Sequence, residues 1–95
     1  MTYEQYYLLA DEIRADNQVP PYTEDDVIIR SIQRCEKRLD SLNPGTDFET
    51  DRVGRGLLKD AVYYDMVHRF EEFAQNYGPD LRSWQLSEEV ADASE

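Results

Sequence analysis

The sequence has very few of the residues that build covalent cross-links or metal sites. Its 95 residues include one cysteine, Cys35, and one histidine, His68. A single cysteine excludes an intramolecular disulfide and any zinc site that needs several cysteines. We therefore expect the fold to depend on side-chain packing, and a free thiol fits a reducing compartment.

Long apolar runs and an excess of basic residues are also missing. No stretch approaches the roughly 20 apolar residues that cross a bilayer, so we expect no membrane span. The first residues lack the basic and apolar regions of a signal peptide. Lys and Arg number 10 against 21 acidic residues, which gives a net charge of −11. This charge argues against binding a nucleic-acid backbone or an anionic membrane surface.

What remains is the composition of one small folded domain. The sequence is 40% hydrophobic and 33% charged, which is typical of a globular chain rather than a disordered acidic tail. A chain of this length buries only about 60–65% of its unfolded surface. Such a core is marginal, and we expect the protein to gain stability by forming an oligomer.

Two helices are predicted in the first half of the chain. The first covers residues 2–16 and ends before the pair Pro20 and Pro21. The second begins near Thr23, a candidate N-cap that three acidic residues follow, and ends at the Asn-Pro-Gly turn of residues 43–45. Its apolar positions recur every three or four residues and form one stripe: Ile28, Ile32, Cys35, Leu39 and Leu42.

A third, longer helix is predicted to begin at Thr50 or Asp51 and to continue to Tyr77. Gly78 and Pro79 are expected to stop it. Two apolar stripes lie side by side along this helix, so it can contact two neighbours.

The last segment has few apolar residues and ends in a run of acids, which predicts an extended conformation. The sequence therefore predicts an all-α fold, a small three- to four-helix bundle with a long helix in its C-terminal half and an extended C-terminal tail. Residues 1–79 would form the helical domain, and residues 80–95 an extended docking segment with an acidic tail.

Few residues suggest chemistry. Asp65 and His68 lie three residues apart on the predicted third helix, a spacing found in carboxylate-bridged metal sites of helical bundles. Those sites need the pair twice, so we expect the two side chains to share a hydrogen bond instead. Cys35 lies on the buried stripe and is interpreted as a small core side chain. We predict no catalytic residue, no metal ion and no cofactor.

Residues 54–56, Gly-Arg-Gly, superficially resemble a phosphate-binding loop. They lack the Lys-Ser/Thr pair of a P-loop and follow no strand, so we interpret them as a flexible helix start. Arg52, Arg55 and Lys59 nearby are predicted to form a small basic spot that pairs with an acidic partner, and Arg52 and Arg55 are predicted to contact that partner or a neighbouring subunit.

Aromatic residues give the clearest functional signal. The chain has seven tyrosines and one tryptophan, more than a small core can enclose, and both types are enriched in protein interfaces. Tyr63 and Tyr64 are adjacent, so their side chains leave a helix about 100° apart. We predict that one faces the core and that the other contacts a partner or a neighbouring subunit.

A short N-terminal helix, a proline loop and then three further segments carry, in this order, a resemblance to a known family. The three segments read YTEDDVIIRSIQRCEKRLDSLNPG, LLKDAVYYDMVHRFEEFAQNYG and PDLRSWQLSEE, within residues 5–89. Their order resembles the small head–tail connector, or adaptor, proteins of tailed bacteriophages. In that family an acidic capped helix, a turn, a long aromatic helix and an extended segment with Ser-Trp or a similar pair follow one another. The short connection at residues 43–51 departs from the family, since many relatives have a longer loop there.

The resemblance implies a structural virion protein without enzymatic activity, located at the head–tail interface. Such adaptors assemble as a homo-oligomeric ring, commonly of twelve copies, beneath the portal protein and extend the DNA exit channel. They also bind a downstream tail connector or stopper protein. DNA would pass nearby without specific binding, because acidic walls repel its phosphates.

The resemblance also implies roles for particular positions. The C-terminal segment would dock onto the portal through Leu81, Ser83, Trp84 and Leu86. The connection before the third helix would face the channel or the downstream connector through Asn43, Asp47, Glu49 and Asp51.

Two other functions stay open at this level. An acidic regulatory protein that imitates DNA and binds a host protein would also have a strong negative charge, although the second helix alternates in sign. A small helical enzyme or metalloprotein would have to depend on Asp65 and His68.

Overall fold

Helices make up most of the part of the chain that the structure describes. The computed structural model describes residues 1–16 and 19–93, with side chains as far as residue 86. Within these ranges there are five helices and no strand: α1 (Tyr3–Asp16), α2 (Asp25–Leu42), α3 (Arg52–Met66), α4 (Phe70–Asn76) and α5 (Gly78–Ala93). The predicted all-α class is confirmed. None of the described helices combines the length and the apolar character that crossing a bilayer would require.

The first two helices lie where the sequence predicts them. Tyr6, Leu9, Ala10 and Ile13 form the buried side of α1. Glu24, rather than Thr23, occupies the N-cap position of α2 and makes no side-chain cap hydrogen bond. The acidic first turn still favours this helix end, because carboxylates complement the positive end of the helix dipole.

The core is organised around α2 and α3. These two helices pack on each other, and α1 packs on both of them, while α3 also contacts α4 and α5. The largest fully buried side chains come from four helices: Leu9, Ile13, Ile28, Ile32, Leu39, Leu58, Val62 and Phe73. The hydroxyl of Tyr6 donates a 2.6 Å hydrogen bond to Glu36 and links α1 to α2.

The predicted single third helix is divided into two. It ends at Met66, and α4 begins at Phe70 after His68, which has a φ of 60°. This left-handed conformation closes the end of α3, because the backbone N–H of Arg69 reaches back to the carbonyl of Tyr64 at 2.8 Å. Glycine is the usual residue here, and a histidine gives no helix-stop signal in the sequence.

The segment from residue 80 to residue 93 is helical rather than extended, contrary to the sequence prediction. Gly78 and Pro79 begin α5 instead of only stopping the previous helix. Proline is well suited to the first turn of a helix, where its missing N–H has no intrahelical role, and Asp80 complements the dipole there. Ser94 and Glu95, the end of the predicted acidic tail, lie outside the described residues.

The connection between α2 and α3 is anchored by an aromatic residue. Phe48 is 3% exposed and its ring lies 6.2 Å from that of Trp84 on α5. The connection thus contributes to the core and brings α5 against the start of α3.

Candidate functional site

An exposed apolar groove lies between the start of α2 and the end of α3. Its lining consists of Val19, Pro20, Tyr22, Thr23, Val27, Tyr63, Met66 and Val67, and its volume is about 530 Å³. Tyr22 is 85% exposed, and the side chains of Val27, Tyr63 and Val67 are between 43% and 47% exposed. Apolar side chains that cluster at the surface in this way are typical of a protein-binding surface.

The two adjacent tyrosines point to different environments, as the sequence predicts for neighbours on a helix. Tyr63 lies in the apolar groove and is exposed. Tyr64 is half-buried and its ring lies 5.9 Å from Phe73 and 6.0 Å from Tyr77. The left-handed turn at His68 folds α4 back and brings these rings together, which leaves Tyr63 available for a partner.

The predicted portal-docking residues separate into two pairs. Leu81 and Trp84 are buried, at 9% and 3% exposure, and belong to the hydrophobic core. Ser83 and Leu86 are exposed and line an open hollow of about 380 Å³ with Gly78, Pro79 and Arg82. The outer face of α5 is therefore the only part of this predicted set, within the described side chains, that is accessible to another protein.

Asp51 is partly buried and caps a helix rather than lying in an open loop. One of its carboxylate oxygens accepts the N–H of Gly54 at 3.0 Å and caps α3. The other accepts the indole N–H of Trp84 at 2.8 Å. A Cβ atom at Gly54 would lie 3.0 Å from the Asp51 carboxylate, so this glycine permits the close approach. The Gly54 N–H is thus engaged by Asp51.

The residues of the predicted basic spot differ in their exposure. Arg55 is 19% exposed and forms ion pairs with Glu12 at 2.8 Å and with Glu49 at 3.2 Å. Arg52, at the start of α3, is exposed. Lys59 pairs with Asp16 of α1. Arg55 therefore ties α1 to the connection before α3, and of the three basic residues only Arg52 is exposed.

The remaining residues of the connection are arranged as a turn. The backbone N–H of Asn43 bonds to the Leu39 carbonyl at 3.1 Å, and its own carbonyl accepts the Thr46 hydroxyl at 2.7 Å. Asp47 is exposed and accepts the Glu49 N–H at 2.9 Å. Asp47 and Glu49 are the members of the predicted channel set that present carboxylates to solvent.

The Asp65 carboxylate bonds to α2 and not to the His68 side chain. One of its oxygens accepts the Ser31 hydroxyl and the Arg34 guanidinium, each at 2.6 Å, and Arg38 lies 3.9 Å from the other. Burial alone would raise the pKa of Asp65, but the hydrogen bonds from Arg34 and Ser31 and the two positive charges hold it below its ordinary value. The predicted Asp65–His68 hydrogen bond is therefore wrong.

His68 itself is exposed at the turn between α3 and α4. It borders an open hollow of mixed charge, about 550 Å³ in volume, with Arg38, Asp65, Arg69, Phe70, Glu71 and Glu72. In the part of the chain that the structure describes, no three His, Cys, Asp or Glu side chains are grouped so that they could hold a metal ion.

Cys35 is fully buried among the core side chains. Burial, together with the nearby negative charge of Asp65, raises the pKa of its thiol to about 12. A thiol with such a pKa stays protonated and is a poor nucleophile, in line with its interpretation as a core side chain.

Several groove residues are not found by sequence reasoning. The sequence does not indicate that Tyr22 and Val27, at the start of α2, line a groove. In the structure both side chains are exposed and line it. The sequence predicts that Met66 and Val67 lie inside one continuous third helix. In the structure the turn at His68 places them at the end of α3. The sequence feature that could have indicated these groove residues is the cluster of apolar residues next to a helix terminus.

No protein-family model, no curated protein and no solved structure matches the chain.

Proposed function

We propose that the protein is a structural connector of a tailed bacteriophage, which assembles as a ring beneath the portal and extends the DNA exit channel. The observation that carries this proposal is the exposed apolar groove formed by the ends of α2 and α3. Its tyrosine and aliphatic side chains have the composition of protein interfaces. The resemblance of residues 5–89 to head–tail adaptors gives this binding surface a specific context.

A connector must bind a different neighbour on each side, and the chain exposes two separate surfaces. One is the groove, with Tyr22, Tyr63 and Val67. The other is the hollow on the outer face of α5, with Ser83 and Leu86. We assign the α5 surface to the portal, as the resemblance implies for this segment, and the groove to the downstream connector or stopper protein. Leu81 and Trp84 support the α5 surface from inside.

The strong negative charge of the chain agrees with a position at the wall of a channel through which DNA slides. On the connection between α2 and α3, Asp47 presents its carboxylate to solvent, and the exposed Glu49 beside it is paired with Arg55. A channel wall of this sign repels phosphates, so the duplex passes without being held. The virion location and the copy number of twelve are part of this proposal and come from the resemblance.

Co-sedimentation with the portal protein encoded in the same genome tests the assignment. Leu86→Glu with Ser83→Glu is expected to weaken portal binding at least about tenfold, because two charges enter a contact surface. Thr50→Glu with Gln75→Glu adds the same charge at exposed positions elsewhere and is the matched control. Negative-stain images of the wild-type mixture are expected to show rings on the portal. If the wild-type chain never co-sediments with the portal, the connector proposal fails.

The DNA-mimic alternative lacks a comparable observation. Such a protein needs acids in a continuous phosphate-like array, whereas the exposed side of α2 presents Arg30, Arg34 and Lys37. Recovery of a nuclease or a repressor, rather than a capsid component, in a pull-down would favour that alternative.

A further inference from the structure

One exposed face of α2 is basic. Arg30, Arg34, Lys37 and Ser41 follow the spacing i, i+4, i+7, i+11, which places them on one side of a helix, and all four are exposed. This set, the basic stripe, lies opposite the buried residues Ile28, Ile32, Cys35 and Leu39. It interrupts a surface that is otherwise dominated by acids, since the chain has a net charge of −11.

Two members of the basic stripe are available for another molecule. Arg34 already bonds to Asp65 at 2.6 Å, although its side chain is 54% exposed. Arg30 and Lys37 make no side-chain hydrogen bond or ion pair with any residue that the structure describes. Exposed cations without an internal partner are free to contact carboxylates of a second chain.

An exposed face of α1 has the opposite charge and the same spacing. Glu4, Leu8, Asp11 and Ala15 also stand at i, i+4, i+7, i+11, and all four are exposed. This set, the acidic stripe, lies opposite the buried Tyr6, Leu9, Ala10 and Ile13. Neither acid has a side-chain partner among the described residues, and Leu8 is 56% exposed.

The two stripes match in register. Glu4 and Asp11 are seven residues apart, as are Arg30 and Lys37, so each charge pair spans about 10.5 Å along its helix axis. Leu8 and the aliphatic stem of Arg34 occupy the positions between the charges. Ala15 and Ser41 are small and permit two helices to approach closely. A helix pair of this kind buries an apolar centre between two ion pairs.

We infer that the acidic stripe on α1 of one copy packs against the basic stripe on α2 of the next copy. The inference rests on the proposed function, for which it names the contact between subunits. Pairing α1 with α1, or α2 with α2, would place like charges opposite each other, which is unfavourable. The contact therefore joins two different faces, and a contact of that type can close a ring when it repeats from copy to copy.

Charge exchange tests the contact with the purified chain, and analytical ultracentrifugation gives the association constant. Glu4→Lys with Asp11→Lys makes both stripes positive, and Arg30→Glu with Lys37→Glu makes both negative. Each double variant alone is expected to associate at least about tenfold more weakly than the wild type, because like charges then meet. An equimolar mixture of the two is expected to associate again, since each acidic face then finds a basic one.

Two further variants keep the test decisive. The quadruple variant, which carries all four substitutions, exchanges the signs of the two stripes and is expected to associate like the wild type. Gln75→Lys with Asn76→Lys adds positive charge at exposed positions in the last turn of α4, outside both stripes, and is expected to change association by less than about twofold. Circular dichroism verifies that every variant keeps the helical content of the wild type.

Specific outcomes overturn the inference. A wild-type chain that stays monomeric at about 1 mM, where even a weak contact is populated, contradicts it. Equal association of all variants, or no recovery in the mixture, contradicts it as well. Portal binding is a separate measurement. If the chain associates through the stripes but does not bind the portal, the connector proposal is refuted. If the chain binds the portal while charge exchange has no effect on self-association, only the proposed contact between stripes is refuted.

Discussion

Two aspartates at opposite ends of α3 organise their surroundings with different donors. Asp51 uses one oxygen for the Gly54 N–H and the other for the Trp84 N–H, at 3.0 and 2.8 Å. Asp65 receives the Ser31 hydroxyl and the Arg34 guanidinium on a single oxygen, each at 2.6 Å. The first aspartate joins α3 to α5 through neutral groups, and the second joins α3 to α2 mainly through cations.

This difference separates a region that depends on packing from one that depends on charge. Around Asp51 the partners are buried, with Trp84 and Phe48 in ring contact and each 3% exposed. Around Asp65 the carboxylate is only 10% exposed, while Arg34 and Arg38 are about half exposed. The Asp51 region should therefore be sensitive to loss of volume, and the Asp65 region to protonation.

Trp84→Ala should have the largest effect, because it removes a buried indole from the Asp51 region. We expect a loss of about 3–5 kcal/mol in the free energy of unfolding, measured by urea denaturation. Leu86→Ala, two residues along at an exposed position, should change the free energy of unfolding by less than about 0.5 kcal/mol. Equal effects of the two substitutions would mean that α5 is not held through Trp84.

Asp65→Asn should have an intermediate effect, which disappears at low pH. We expect a loss of about 1–2 kcal/mol at neutral pH, less than for a fully buried pair because Arg34 is solvated. The folded-state pKa of Asp65 lies below the unfolded value of about 3.8, so ionised Asp65 stabilises the fold above that value. This contribution is lost as the pH falls through the folded-state pKa.

The measurement for Asp65 is the difference in unfolding free energy between wild type and Asp65→Asn, followed from pH 7 down to pH 2. It should shrink below about pH 4. Glu71→Gln, at an exposed position near the same hollow, is the control and should leave the wild-type curve almost unchanged. A difference that stays constant across this range would show that the Asp65 charge is not what stabilises α2 against α3.

Asp51→Asn should have the smallest effect and sharpens the contrast between the two regions. An asparagine has one acceptor oxygen instead of two, so it can keep the Gly54 cap or the Trp84 bond but not both. We expect a loss of about 1 kcal/mol in thermal unfolding. Asp47→Asn removes the same charge from the same connection and should be nearly neutral, because its single bond to Glu49 is retained. If Asp47→Asn lowered the thermal stability more than Asp51→Asn, Asp51 would not be the aspartate that stabilises this connection.

The parts of the fold that the sequence predicts are those governed by local periodicity. The buried stripe of α2, from Ile28 to Leu39, has strict helical spacing and an acidic first turn, so both the helix and its core face can be inferred. The turn at His68 cannot, because a left-handed histidine has no distinctive local pattern. Its position becomes evident only when the rings of Phe73 and Tyr77 pack against that of Tyr64 in tilted and edge-on contacts.

The site residues follow the same division. Because Tyr63 and Tyr64 are adjacent on a helix, the sequence is enough to predict that their side chains point in two different directions. The burial of Trp84, in contrast, depends on Phe48 and Asp51, more than 30 residues earlier in the chain. A segment with few apolar residues reads as extended when these distant partners are unknown. Gly78 and Pro79 are ambiguous for a physical reason, since the same pair suits the end of one helix and the start of the next.

The burial of Cys35 has a practical consequence for spectroscopy. A protonated thiol inside the core reacts slowly with maleimides and iodoacetamides, which attack through the thiolate. A cysteine introduced at an exposed position outside the two stripes, such as Thr50 or Gln75, would therefore be the dominant site of labelling in the otherwise natural sequence. Fluorescent or spin labels at these two positions can report distances between copies without first removing the native thiol.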